Sequence, residues 1–73
     1  METFKERLLA ERVKKNVSQT AVAETIGISW RAYQRYESGE RWPTVPILLS
    51  LADYFEVSLD YLVGRTDNPE INR

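Results

Sequence analysis

The sequence predicts an all-α fold of five short helices, and three observations favour it. Apolar residues recur at helical spacing, whereas no alternation of period two persists beyond a few residues. Residues typical of helix starts and helix ends follow one another at short intervals. The chain of 73 residues, 42% of them hydrophobic, is long enough for one small domain and too apolar for global disorder.

The first predicted helix begins at Thr3 and ends at Asn16. Thr3 and Glu6 have the spacing of a capping box, in which each side chain satisfies a backbone amide of the other's turn. Asn16 suits the end because asparagine tolerates the left-handed conformation that often terminates helices. The apolar stripe of this helix contains Phe4, Leu8, Leu9 and Val13.

Three later helices are predicted to begin with the same device. In each, an apolar residue precedes a serine, and a second apolar residue follows that serine by four positions. The serine caps the first turn, and the two apolar residues pack as a hydrophobic staple. The three sets are Val17-Ser18 with Val22, Ile28-Ser29 with Tyr33, and Val57-Ser58 with Leu62.

Glycines mark the predicted ends of three helices, namely Gly27, Gly39 and Gly64, where a left-handed residue is favourable. Thr44 is placed to cap the fourth helix, whose first turn tolerates Pro46. The fourth helix is strongly apolar, with Val45, Leu48, Leu49, Ala52 and Phe55. The predicted core comprises Leu8, Leu9, Val13, Val22, Ala23, Ile26, Tyr33, Tyr36, Leu48, Leu49, Ala52, Phe55, Leu59 and Leu62.

Composition narrows the classes of function. The chain has no cysteine and no histidine, so the commonest metal ligands and the commonest general base are missing. No apolar run reaches membrane-spanning length, and the first 15 residues lack a signal peptide's apolar stretch. We therefore expect a cytoplasmic protein that is not an enzyme, with no cofactor and no evident small-molecule ligand. Residues 1–64 form the expected domain, and residues 65–73 a polar, loosely ordered tail.

The third helix presents hydrogen-bonding and cationic side chains on one side. At about 100° per residue, an arc of about 140° holds Trp30, Arg31, Gln34, Arg35 and Ser38. Tyr33 and Tyr36 fall elsewhere and are expected to face the core. Arginine can pair with guanine and glutamine with adenine in a DNA major groove, whereas the indole of Trp30 suits a thymine methyl group or a sugar edge. The alternative is an ordinary solvated helix face.

Flanking residues extend this candidate interface. Gln19, in the first turn of the second helix, is suited to a phosphate contact because the amides there carry partial positive charge. Arg41 and Trp42 are candidates for the next phosphate, although Trp42 suits a lid over the core equally well. Glu37 is expected to pair with a first-helix cation such as Arg12. The expected DNA contacts are Gln19, Ser29, Trp30, Arg31, Gln34, Arg35, Arg41 and Trp42.

Over residues 4–64 the sequence resembles the lambda-repressor-like helix-turn-helix family. The matching stretches are Leu8-Leu9-Ala10-Glu11-Arg12, Val17-Ser18-Gln19, Ile26-Gly27-Ile28-Ser29, Tyr36-Glu37-Ser38-Gly39, Pro43-Thr44 and Val57-Ser58-Leu59-Asp60-Tyr61-Leu62. The resemblance implies a third helix in the major groove and dimeric binding to a palindromic operator. It also implies that Gln19 clamps a phosphate and that Trp30, Arg31 and Arg35 face bases. Glu40 departs from the family, where lysine is frequent.

The partners expected are double-stranded DNA and a second copy of the chain. The last helix region carries more apolar residues than a small core needs, which predicts a homodimer interface through Tyr54, Leu59, Tyr61 and Val63. The net charge of −1 is low for a DNA-binding protein, and residues 45–73 carry five acidic residues against two arginines. The leading hypothesis is a sequence-specific transcriptional repressor. The alternative is a protein-interaction module on the same scaffold, such as an antitoxin or an anti-repressor.

Overall fold

The computed structural model describes residues 3–71, which form five α-helices and no strand. The helices are α1 (Phe4–Lys15), α2 (Gln19–Ile26), α3 (Trp30–Ser38), α4 (Val45–Phe55) and α5 (Leu59–Leu62). The predicted all-α, five-helix class is confirmed. None of these helices is both long enough and apolar enough to cross a membrane.

Local capping sets most helix starts as predicted, whereas Thr44 occupies the N-cap of α4 without a side-chain hydrogen bond to the first turn. Ser18, Ser29 and Ser58 each accept a hydrogen bond from the amide three residues ahead, at 3.0, 3.1 and 3.0 Å. The backbone amide of Thr3 donates to Glu6 Oε1 at 3.2 Å, which is the capping-box contact expected for α1. Asn16 adopts the left-handed conformation with φ of 59°. The starts of α1, α2, α3 and α5 thus follow from side chains within four residues of the boundary, whereas α4 ends at a left-handed Glu56 that the sequence did not single out.

The core expectation was wrong at three positions. Leu9, Val13 and Leu49 are 44%, 64% and 47% exposed. The buried face of α1 instead consists of Phe4, Arg7, Leu8 and Glu11. Two polar residues therefore occupy core-facing positions, and the predicted apolar stripe is right at Phe4 and Leu8 but wrong at Leu9 and Val13. Leu49 was misplaced because α4 is apolar on nearly every side, so its periodicity does not select a face.

The remaining predicted core is confirmed, and three apolar residues join it. Leu8, Val22, Tyr33 and Leu62 are fully buried. Ile26 and Leu59 are half-buried and pack against the same cluster. The additional buried residues are Phe4, Leu51 and Val57. These side chains bring α1, α4 and α5 together behind the α2–α3 pair, and so decide which side of α3 faces outward.

Residues 65–69 are fastened to the domain, which differs from the expected loose tail. The Arg7 guanidinium donates to the carbonyl oxygens of Tyr61, at 2.6 Å, and of Thr66, and to Asp67 Oδ1 at 2.6 Å. The amide of Ser58 donates to the Pro69 carbonyl oxygen at 2.9 Å. A buried arginine attracts several carbonyl oxygens because its five N–H groups need acceptors. The polar composition of the segment did not reveal this distant donor.

Candidate nucleic-acid interface

The α2–α3 pair forms a helix-turn-helix with a three-residue turn. Gly27 has φ of 87°, and its amide donates to the Ala23 carbonyl oxygen at 2.9 Å. A Cβ added at Gly27 would meet nothing within 4 Å, so the backbone conformation is what favours glycine. Ser29 then caps α3 through its hydroxyl. The turn sets the two helices at a defined angle, with Val22, Ala23 and Tyr33 buried between them and the core.

The exposed side of α3 carries the residues predicted to lie there. A shallow open depression is lined by Trp30, Arg31, Gln34, Arg35, Ser38 and Glu40. Tyr33 and Tyr36, on the opposite side, are 0% and 7% exposed. One face of α3 is therefore anchored in the core, and the other offers two guanidinium groups and an amide to a ligand.

Glu40 lies beside this face and reduces its positive charge. Arg35 Nε is 3.8 Å from Glu40 Oε2, and both side chains are substantially exposed. An exposed pair at this distance is weak and is screened by salt. Arg35 can exchange Glu40 for another acceptor at little cost, so the pair does not prevent Arg35 from reaching a base or a phosphate.

Gln19 connects the start of α2 to both ends of α3. Its Nε2 donates to Glu37 Oε1 at 3.0 Å, and its Oε1 accepts from the Trp30 indole Nε1 at 3.1 Å. The amide orientation is thereby determined, since each of its two polar atoms has a partner of the required type. The second N–H of Nε2 is left for an outside acceptor. The link between Gln19 and Trp30, 11 residues apart, was not predicted from the sequence, which offers no local signal for it.

Glu37 pairs with Arg12 of α1, as predicted. Arg12 Nε donates to Glu37 Oε2 at 2.6 Å and Nη2 donates to Oε1 at 3.3 Å, while Nη1 donates to the Val17 carbonyl oxygen at 3.0 Å. Burial on its own would raise the pKa of Glu37, but the hydrogen bonds that it accepts, foremost from Arg12, lower that pKa below its ordinary value. Glu37 is therefore ionised at neutral pH. Through its bonds to Arg12 and Gln19 it connects α3 to α1 and α2, on the side of α3 away from its exposed polar face.

The loop after α3 brings Arg41 and Trp42 next to the start of α1. Trp42 is 61% exposed, and its ring stacks on Phe4 with centroids 4.9 Å apart. Trp42 thus covers a core residue and still presents most of its surface to solvent. A depression here is lined by Thr3, Phe4, Lys5, Gly39, Arg41 and Trp42. Lys5 is a cation of this surface that the sequence did not single out, because it lies far before Arg41 in the chain.

The four residues predicted to form a dimer interface are all partly buried against the core, and whether they meet a second copy stays a prediction. Tyr61 lies under the Arg7 guanidinium, 4.2 Å from its ring centroid, and Tyr54 contacts Lys15 and Phe55. Leu59, by contrast, lines a groove with Leu49 and Ile71. All four, including Val63, are half-buried against the core. The large exposed apolar residues of this part are Val45, Leu49 and Ile71.

Comparison with known proteins agrees with this geometry. Residues 8–62 match the model of a helix-turn-helix family. The chain is 48% identical over 62 residues to the cryptic phage CTXphi transcriptional repressor RstR of Vibrio cholerae, covering 85% of this chain and 55% of that protein. It is 43% identical over 60 residues to the HTH-type transcriptional regulator AnsR of Bacillus subtilis, covering 82% and 52%. The chain thus spans about half the length of these curated relatives.

Solved structures share the arrangement of helices. The P22 c2 repressor in complex with synthetic operator 9T matches with a TM-score of 0.84 and 30% identity, covering 90% of this chain and 100% of that chain. A transcriptional regulator from Listeria innocua matches with a TM-score of 0.82 and 33% identity, covering 88% and 60%. Together with the family match over most of its length, these similarities show that the chain belongs to the lambda-repressor-like helix-turn-helix family.

Proposed function

We propose that this protein is a sequence-specific DNA-binding transcriptional regulator, a repressor that acts in the cytoplasm with α3 in the major groove. The observation that carries the proposal is the outward face of α3. Arg31, Gln34 and Arg35 share one open surface while the opposite face of the helix is buried. These are the side-chain types that pair with guanine and adenine edges. The P22 c2 repressor, of similar fold, was solved with an operator.

Contacts on either side of α3 would hold the DNA backbone. The free N–H of Gln19 and the first-turn amides of α2 are suited to one phosphate. Lys5 and Arg41, at the opposite end of α3, supply two cations for another. Phosphate contacts orient such a domain on the duplex, and base contacts then select the sequence.

A homodimer fits this function better than a monomer. One module of this size buries too little DNA surface for tight specific binding, and a two-fold dimer doubles that contact. We propose that the dimer forms through α4, α5 and Ile71, with Leu49 and Leu59 at its centre and Val45, one helical turn before Leu49, at its edge. The acidic residues of the C-terminal third, such as Asp53 and Asp60 beside the same groove, would then face away from phosphate.

Selection of bound sequences from a random double-stranded DNA pool tests the proposal. We expect a palindromic site whose half-sites lie about one helical turn apart, about 34–36 Å. Affinity for that site should fall steeply as salt rises, because phosphate contacts release counterions. Recovery of no sequence above background, with a salt-insensitive affinity for a protein partner instead, would favour the interaction-module alternative.

A further inference from the structure

We infer that Trp30 reads a thymine C5-methyl group in each half-site, through the apolar edge of its indole. This inference rests on the proposed function and specifies which chemical group one side chain of α3 recognises. An indole at this position can contact either a methyl group or a sugar or phosphate oxygen. The hydrogen bond that the indole N–H already makes within the folded protein favours the methyl group.

The only polar atom of the Trp30 side chain is used inside the protein. Indole has one donor and no acceptor. That donor, Nε1, is 3.1 Å from Gln19 Oε1. A hydrogen bond from Trp30 to a base, sugar or phosphate oxygen would therefore require the bond to Gln19 to break and leave the amide oxygen without its donor. What Trp30 has left to offer a ligand is hydrocarbon.

A series of contacts reaching into the domain holds the indole in this orientation. Gln19 is held by its own bond to Glu37 at 3.0 Å, and Glu37 is held by Arg12 at 2.6 Å. If the ring turned its N–H outward, the bond to Gln19 Oε1 would break, and Gln19 would lose one of the two contacts that orient its amide. Because the ring has this orientation before binding, its side chain loses little conformational entropy when the protein binds DNA.

The exposed part of the ring is at the place where base edges are read. Trp30 is 45% exposed and shares its depression with Arg31 and Gln34. It is the first residue of α3, and first-turn residues of a recognition helix contact base edges. Among the groups on the floor of the major groove, the apolar one is the C5-methyl of thymine. A cytosine methylated at C5 presents the same group and should be recognised alike.

Removal of single methyl groups from the selected site tests this. Each thymine is replaced in turn by deoxyuridine, symmetrically in both half-sites, and the Kd is measured at fixed salt for the wild type and for Trp30→Ala. In the wild type we expect one position to lose about fourfold in affinity per methyl removed, which is the effect of burying one carbon group. In Trp30→Ala the same replacement should have no effect. At that position 5-methylcytosine should bind more tightly than cytosine.

Trp42→Ala is the matched control, since it removes an equally large exposed indole from the loop that follows α3. Its complex should keep the full deoxyuridine effect. The inference is overturned if no thymine position couples to Trp30 while the selected site is still bound, or if the coupling follows Trp42. In both cases the proposed function survives. Failure to select any DNA sequence would instead refute the proposed function itself, and this inference with it.

Discussion

Two arginines of α1 fasten opposite parts of the molecule in different ways. Arg12 holds Glu37 of α3, whose side chain is 7% exposed, and so braces the helix-turn-helix from behind. Arg7 holds the segment after α5 through two carbonyl oxygens and Asp67, whose side chain is 83% exposed. The two ion-pair distances are equal, at 2.6 Å. From the difference in burial we expect unequal contributions at equal distance, because water screens one pair more than the other.

Glu37→Gln should give the largest effect and tests the buried pair directly. The substitution keeps the shape of the side chain but leaves the Arg12 charge without its counter-charge. We expect a loss of about 2–3 kcal/mol in the free energy of unfolding. The loss stays at the lower end of such penalties because Arg12 is 18% exposed and keeps the Val17 carbonyl oxygen. Urea denaturation measures it, and an unchanged midpoint would show that the pair contributes nothing.

Substitution of the outward arginines of α3 should change DNA binding and leave folding stability nearly unchanged, whereas loss of the Arg12 pair should lower stability. Arg31→Ala and Arg35→Ala should each weaken binding to the selected site by about 1–3 kcal/mol and relax base preference at one position. Their exposure means that thermal unfolding of the free protein should not change appreciably. Fluorescence anisotropy with the selected duplex and its single-base variants measures both affinity and preference. If the variant carrying both substitutions kept full, sequence-selective affinity, α3 would not be the helix that recognises the DNA sequence.

Acidification should weaken the pair between Arg12 and Glu37. The folded-state pKa of Glu37 lies below its ordinary value, so its ionised form is stabilised by folding. That stabilisation is fully present above about pH 4.5 and is lost as the pH falls through the lowered folded pKa. The loss from protonating Glu37 should be no larger than that from Glu37→Gln at neutral pH, because protonation removes the same negative charge and leaves the carboxyl group in place. Denaturation between about pH 3 and 6 should show a pH-dependent component in the wild type that Glu37→Gln lacks.

Asp67→Asn is the matched counterpart of Glu37→Gln and should give the smallest effect. The amide side chain keeps an oxygen for Arg7, whose carbonyl partners at Tyr61 and Thr66 are untouched. Although the Arg7 side chain is buried, the Asp67 carboxylate is 83% exposed, so water screens the pair and we expect the loss to be about 0–1 kcal/mol. The same denaturation experiment, with and without added salt, measures the difference. A loss of stability as large as that of Glu37→Gln would mean that burial of the carboxylate does not determine how much each ion pair contributes.

The candidate site was predictable where its determinants are close in the sequence. The serine caps of α2 and α3 and the left-handed Gly27 lie within four residues of the groups they satisfy, and their pattern is visible in the chain. The split of α3 into a buried tyrosine face and an exposed polar face follows from helical periodicity alone. The predicted DNA contacts and the 1–64 boundary stay predictions.

The errors concern residues whose environment depends on a partner far along the chain. Leu9 and Val13 were assigned to the core because they are apolar, yet Arg7 and Glu11 take the inward positions of α1. Arg7 is buried because Tyr61, Thr66 and Asp67 supply its acceptors. Burial of a charge requires such partners, and no property of residues 4–15 reveals them.

By itself the sequence determined the number of helices, their boundaries and the outward polar face of α3, because capping and periodicity act within a turn or two of the chain. Only the tertiary structure decided how those helices rotate about their axes and which polar groups meet. It brought together the three hydrogen bonds that link Trp30 to Gln19, Gln19 to Glu37 and Glu37 to Arg12, across three helices. Such a contact depends on three-dimensional packing, where side-chain shape and buried hydrogen bonding choose among faces that look alike in the sequence.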